Sequence, residues 1–317
     1  MKITILVDDT AGTNMRGEHG LSIFIEHRGK RLLLDTGASD LFAENAAALG
    51  IDLTNLDMAV LSHGHYDHST GTQKLFEINP AVKMAVRKEA FEEHYHLKER
   101  QFGYNGVPRN LLTDYADRFI FTNGKMPEEQ PVEILPGAWL LPHAADEEHL
   151  AAMRKIGSKN GLYVLCKNPM PDGSVVESFL PDDFRHEQTL VLECDPAEDF
   201  ATTMECDPAE DTETAMESDT SAPMECGSAG ELIVISSCSH AGVDVIVREV
   251  QKAFPDKKIR AYIGGFHMVN MTVDEAENTA RILAELPVGK YYTGHCTGAR
   301  SFEILQRILG ERVEGLF

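Results

Sequence analysis

Hydrophobic and polar positions along the first third of the chain fall into short, strand-length runs. Ile3 to Val7, Leu21 to His27 and Arg31 to Leu34 are rich in branched apolar residues, and Arg28-Gly29-Lys30 between the last two predicts a hairpin. The pattern then changes to that of a helix from Ser39 to Leu49. Ser39 or Asp40 is its cap, Ala43, Ala46, Ala47 and Ala48 fill its body, and Gly50 supplies the stop. Met58 to Leu61 reads as a short buried strand. In the last third, strands at Leu232 to Ser236, Ile259 to Ile263 and Lys290 to Thr293 alternate with helices at Gly242 to Ala253, Val273 to Leu286 and Arg300 to Leu309. Two strand-rich halves that carry helices predict an α/β fold in four layers, αββα, with two sheets face to face and helices over their outer faces.

The pattern is interrupted between two further buried strands, Gln188 to Leu192 and Leu232 to Ser236. From Glu193 to Glu231 there are 13 acidic residues and no Lys or Arg, so that of a formal net charge of −22 the remainder carries only −22 + 13 = −9. The segment repeats itself every 12 residues: Glu193-Cys-Asp-Pro-Ala-Glu-Asp is followed by Glu205-Cys-Asp-Pro-Ala-Glu-Asp, with degenerate copies from Glu217 and Glu225. Dense like charge with few branched or aromatic side chains cannot bury enough apolar area to offset chain entropy. Residues 193–231 are therefore expected to be a mobile acidic insert that lengthens a hairpin connection, within a single domain spanning 1–317.

Charge and composition narrow the partners. An acidic chain without basic–aromatic interleaving is not expected to bind nucleic acid, whose phosphates attract clustered Lys and Arg. No run approaches the length a membrane-spanning helix requires, and the first ten residues are too short an apolar stretch for a secretory signal. Six cysteines without a CxxC pair are expected to be reduced thiols. The expectation is a cytoplasmic protein that acts on a small molecule; the oligomeric state is not legible.

The densest chemistry lies just after the strand at Met58 to Leu61, in His63-Gly64-His65-Tyr66-Asp67-His68. In an extended loop His63 and His65 point to the same side, while Asp67 and His68, at the turn into a helix, can face a second point. Imidazole and carboxylate ligands suit one or two divalent metal ions, zinc as the first choice, with manganese or iron compatible. Asp35, in Leu-Leu-Leu-Asp-Thr-Gly at the end of an earlier strand, is suited to orient such ligands. Three more histidines end or follow strands: His240 in Cys-Ser-His-Ala-Gly, His267 in Gly-Gly-Phe-His-Met and His295 in Gly-His-Cys-Thr-Gly. His94 and His96 are read as a solvated pair on a helix, and His19, His27, His143 and His149, without ligand-like context, mostly as surface groups.

HxHxDH after a strand, together with the earlier Asp35, resembles the signature of the metallo-β-lactamase superfamily. The motifs HGHYDH, CSHAG, GGFHM and GHCTG further resemble a narrower branch, proteins similar to the dihydropterin-methyl-ribofuranosylaminobenzene-phosphate synthase of methanopterin biosynthesis. The likeness covers the chain apart from the acidic repeat and implies a metallo-β-lactamase-like sandwich. It also implies that His63, His65 and His240 hold one metal, that Asp67, His68 and His295 hold the other, and that His267 lies near the substrate. One departure stands out: the superfamily's bridging aspartate is replaced by Ser237-Cys238-Ser239. Either Cys238 reaches a metal, or a hydroxide alone bridges, or the second site is weak. His186 is a rival for the role of His240.

The resemblance implies a metal-dependent hydrolase of a small-molecule ester or phosphoester. In it Asp67 would steer the attacking hydroxide or take its proton, and His267 would donate to the developing oxyanion. The alternatives are a synthase-like transferase of pterin metabolism and a metal-binding or regulatory protein without hydrolysis. Arg154, Lys155 and Lys159, in what reads as a basic turn, are candidate phosphate contacts.

Overall fold

The apolar runs become strands that are buried on both faces, and this is what fixes the layers. In the computed structural model, which describes residues 1–12, 15–122, 130–143, 147–194, 201–203 and 230–316, two sheets of seven strands pack on one another. The first has the order Ala201–Thr203, Lys2–Val7, Ser22–His27, Lys30–Leu34, Met58–Val60, Met84–Val86, Phe119–Phe121. The second runs Val313–Gly315, Val288–Thr293, Lys258–Ile263, Glu231–Ile235, Gln188–Cys194, Ala138–Pro142, Val132–Leu135. Ile3, Ile23, Ile25, Leu32 and Leu34 of the first sheet meet Leu190, Leu192, Ile233, Ile235 and Ile263 of the second in one core.

Alternate residues of the same strands point outward. Phe24 and Leu33 pack under the helices Leu41–Ala48 and Thr72–Ile78. Val191, Val234, Tyr262 and Tyr291 pack under Val243–Ala253, Val273–Glu285 and Ala299–Leu309. This is the αββα sandwich, and strands covered on both faces explain why these runs read as continuously apolar. The helix at Val273–Glu285 begins with a capping box, in which Thr272 and Glu275 each accept from the other's backbone N–H. Among the described residues no helix is long and apolar enough to cross a membrane.

The middle of the chain departs from the sequence reading. His94 and His96 lie not on a helix but in the strand His94–Lys98, part of a four-stranded sheet ordered Val175–Pro181, Leu162–Pro169, His94–Lys98, Gln101–Tyr104. The hairpin between the last two turns on Glu99 and Arg100, both with positive φ (51° and 66°). Such a turn normally carries Asn or Gly, so its residues gave no sign of it. The strand's two-residue period puts both histidines on one face, and burial falls along the strand toward its turn, so that His94 lies in the interior at 0% exposure and His96 is half-buried. Arg154, Lys155 and Lys159 belong to the helix Glu147–Asn160 rather than to a turn.

His27 and His143 are likewise buried, not on the surface. His143 Nδ1 lies 2.8 Å from a Glu249 carboxylate oxygen and its Nε2 lies 3.2 Å from the Thr189 hydroxyl, which gives a buried imidazole the partners it needs. Gln188–Cys194 and Glu231–Ile235 pair antiparallel, with Cys194 opposite Glu231. Glu193, Cys194 and Glu231, the ends of the expected insert, are thus strand residues, and the rest of it lies outside the described residues except for Gly230 and Ala201–Thr203, which pairs in parallel with Lys2–Val7.

Candidate metal centre

The strand Met58–Val60 ends at the edge where the two sheets meet, and its continuation carries His63 and His65 into a gap between the elements packed around it. Gly64 separates the two histidines because nothing larger fits: a Cβ there would lie 2.5 Å from the Ala90 carbonyl oxygen. Asp35 sits at the end of the neighbouring strand, fully buried, with φ +60°. Its Oδ1 accepts from the Ser62 N–H at 2.7 Å and its Oδ2 from the Ser62 hydroxyl at 2.6 Å. The Ser62 oxygen is then free to accept from His63 Nδ1, 2.8 Å away, so the lone pair of His63 is on Nε2. The same Asp35 Oδ2 holds His68 Nδ1 at 2.7 Å. One carboxylate thus aims two imidazoles.

The C-terminal motifs meet these residues from the second sheet. His63, His65 and His240 bring ring nitrogens within 4.8 Å of one another, and all three side chains are buried. His240 is held by Glu187, whose carboxylate accepts from the backbone N–H groups of His240 and Ala241 at 2.8 and 2.9 Å, and by Phe184, stacked on its ring with centroids 4.3 Å apart. On the other side of His63, Asp67 Oδ2 lies 3.5 Å from Nε2 of both His68 and His295. His295 Nδ1 is bound by Asp9 at 2.6 Å, and its backbone N–H by Asp8. Cys238 Sγ lies between the two groups, 3.2 Å from His68 Nε2, and falls within 4.8 Å both of His63 and His68 and of His240 and His267.

Buried polar atoms without partners test whether a cation fits. Nε2 of His63, His65 and His295 and both ring nitrogens of His240 and His267 make no hydrogen bond. Unpaired buried polar groups are rare, and here they converge with their opposite ring nitrogens already occupied at His63 and His295. Burial, reinforced by the neighbouring imidazoles, pushes the pKa of His63 and of His240 well below the ordinary imidazole value, which keeps lone pairs available. Burial acts the same way on His68, but Asp67 and Asp35 override it and hold that ring up at about 9. The donor set therefore fits a divalent metal at both groups, the second only in exchange for a proton.

His186 does not belong to the converging set. Its Nδ1 accepts from the Gly64 N–H at 2.9 Å and its Nε2 donates to Asp182 at 3.2 Å, which leaves no lone pair for a metal. His94 joins it behind His65. Its Nε2 donates to the Glu89 carbonyl, so Nδ1, 3.0 Å from Asp182, can donate there only when the ring is charged. Burial opposes that charge, and the Asp182 carboxylate outweighs it and raises the His94 pKa. His65 Nε2 is 3.7 Å from the same carboxylate, beyond hydrogen-bond reach.

A cavity of about 340 Å³ opens beside His240 and His267, walled by Phe266, Ile156 and Met271 and rimmed by Lys155, Lys159 and Asn278. Lys159 is paired with Glu275 at 2.5 Å. Arg154, paired with Glu147 and Asp183, is not among its lining residues. Eight non-glycine residues among those described have positive φ, and Asp35, Phe184, Ser239, His267 and His295 are five of them. Strain of this kind gathers where a fold over-determines a site.

A family model described as metallo-beta-lactamase superfamily matches residues 15–153, which include Asp35 and HxHxDH. Over these residues the chain matches the metallo-beta-lactamase superfamily, and its sandwich is the fold of that superfamily. It is similar along its whole length to the 7,8-dihydropterin-6-methyl-4-(beta-D-ribofuranosyl)-aminobenzene-5'-phosphate synthase of Methanocaldococcus jannaschii, with 28% identity over 100% of this chain and 94% of that one. An uncharacterized protein of the same organism is 32% identical over 42% of this chain and 56% of its own length. Among solved structures, Tm1679, described as a metal-dependent hydrolase of the beta-lactamase superfamily, superposes with a TM-score of 0.65 and 27% identity, covering 99% of this chain and 94% of that one.

Within this superfamily fold the structure brings together His63, His65, Asp67, His68, His240, His267 and His295, the residues singled out by motif. Sequence reasoning missed their supports, Asp8, Asp9, Asp182 and Glu187. Asp8-Asp9 follows the first strand as Asp35 follows the third, so the signal that exposed Asp35 was available there too.

Proposed function

We propose that this protein is a metal-dependent hydrolase of a small anionic ester or phosphoester. The observation that carries the reading is the set of partnerless imidazole nitrogens of His63, His65 and His240, which converge where His240 also lines a 340 Å³ cavity. A divalent metal there would polarise an acyl or phosphoryl oxygen and make water acidic enough to attack near neutral pH. The position of Cys238, with a thiol for the usual bridging carboxylate, favours zinc over manganese. In this reading His63, His65 and His240 hold one ion and Asp67, His68 and His295 hold the other.

Around the metal the chain's own groups do three things. The Asp67 carboxylate, kept ionised by His68 and His295 against the cost of its burial, orients the attacking water and takes its proton. His267, on the cavity wall with both ring nitrogens unpartnered, donates to the oxyanion as it develops. Lys155, which makes no ion pair among the described residues, meets the anionic end of the substrate, and Phe266 and Met271 give its body an apolar, dry wall.

A second reading has a specific observation behind it: the full-length likeness to a synthase whose printed name includes a 5'-phosphate. Condensation of a pterin with an aminobenzene phosphate would use the same cavity and the same Lys155. Metal content measured together with turnover of phosphodiester, thioester, lactone and lactam reporters separates the two. The hydrolase reading expects one to two ions and a reporter whose cleavage is lost in His63→Ala and Asp67→Ala. Bound metal with no reporter turned over, and condensation of the pterin pair, would replace it by the synthase.

A further inference from the structure

His19 stands outside every motif, and its side chain is 56% exposed, yet its ring is held in place. Asp9 binds it at Nδ1 through Oδ2 at 2.9 Å, while Oδ1 of the same carboxylate binds Nδ1 of His295 at 2.6 Å. A carboxylate that accepts from Nδ1–H leaves the lone pair on Nε2. Asp9 therefore aims two imidazoles at one point, by the kind of carboxylate contact that Asp35 makes with His68 Nδ1. The point is beside Asp67: Nε2 of His19, of His295 and of His68 each lie 3.5 Å from Asp67 Oδ2. Ligands bound about 2.0–2.1 Å from one ion in a tetrahedron lie roughly 3.3–3.4 Å apart. Three nitrogens at 3.5 Å from one oxygen have that spacing, which is too long for hydrogen bonds of ordinary strength. The ring planes of His19 and His295 are 30° apart with centroids at 5.2 Å, so neither blocks the other.

We propose that His19 is a fourth protein ligand of the second metal position, alongside Asp67, His68 and His295, and closes it from the solvent side. The inference rests on the two-position metal reading above and makes the positions unequal. A position with four protein ligands has no place left for substrate, as in structural sites, whereas one with three keeps a place open. His63, His65 and His240 form the open one, and His240 lines the cavity. Substrate would then be handled at the first position, with the second fixing Asp67 and the loop that carries it.

The test is a cobalt titration of chelator-stripped protein, wild type against His19→Ala, read by metal stoichiometry and by the visible absorption of bound Co²⁺. The wild type is expected to take up two ions, the second with the intense absorption of four-coordinate cobalt. His19→Ala is expected to bind the first ion unchanged, which also reports an intact fold. Its second ion should bind at least tenfold more weakly, with weaker absorption as water enters the coordination sphere. Two ions bound by the variant with wild-type affinity and spectrum would overturn the proposal and assign His19 to an ion pair with Asp9 and Asp67. A wild type that holds fewer than two ions would overturn it together with the two-position reading. Failure of every hydrolysis reporter, with the cobalt result as expected, would leave the ligand assignment supported and remove only hydrolysis.

Discussion

At the scale of single residues the site depends on groups that never face the cavity. Asp35 is fully buried and serves Ser62 twice and His68 once. Asp35→Asn keeps the volume but cannot accept at both oxygens, and metal affinity is expected to fall by about 10–100-fold, measured by competition with a chromophoric chelator. Gly64→Ala acts through space alone. Its Cβ would meet the Ala90 backbone at 2.5 to 3.0 Å, which cannot give way as a flexible side chain could. The variant should lose both metal binding and on the order of 2–3 kcal/mol of stability, read by denaturant unfolding. His186 gives the metal-free protein a pH dependence. Burial lowers its pKa to about 4, so the folded state leaves it neutral where the unfolded chain protonates near 6.5. The unfolded state then binds more protons, and stability should be retained above about pH 6.5 and fall by on the order of 3 kcal/mol as pH drops toward 4, in a urea midpoint series. His186→Gln, which does not titrate, should make that slope shallower, leaving the part that His63 and His240, also lowered by burial, contribute in the same direction.

At the scale of elements the legible parts were those with two strong periods. Leu21 to His27 and Arg31 to Leu34 are strands buried on both faces, and Val273–Glu285 announces itself by its capping box, so their sequence carries their structure locally. His63, His65, Asp67 and His68 were legible for the same reason, since their spacing is itself the geometry. The segment around His94 was not. Its strand is specified by pairing with Leu162–Pro169 and by a Glu99-Arg100 turn, and neither leaves a local mark. The supports Asp182 and Glu187 were hidden because a single buried carboxylate looks like any other acidic residue until its partners from distant strands are known. Glu187 illustrates the consequence: it pins the turn after Glu231–Ile235 by two backbone N–H groups, so Glu187→Ala should loosen that turn and, of the metal-position histidines, His240. The expected signature is a weakened first metal ion with the second retained, in metal titration.

At the scale of the molecule the two sheets supply one half of the centre each, the first giving Asp35 and HxHxDH, the second His240 and His295. A metal bound between them ties the halves together. Stripping it with a chelator should lower the thermal midpoint, and restoring zinc should raise it again in a concentration-dependent way, because an ion that binds only the folded state stabilises it by mass action. The most direct test of the central claim is an anomalous-diffraction map, at the zinc edge, of crystals of the zinc-loaded protein. The account predicts one peak about 2.0–2.1 Å from Nε2 of His63 and of His65 and from a ring nitrogen of His240, with a second beside Asp67, His68 and His295. A peak among Asp182, His94 and His186 instead, or no peak among His63, His65 and His240, would contradict it.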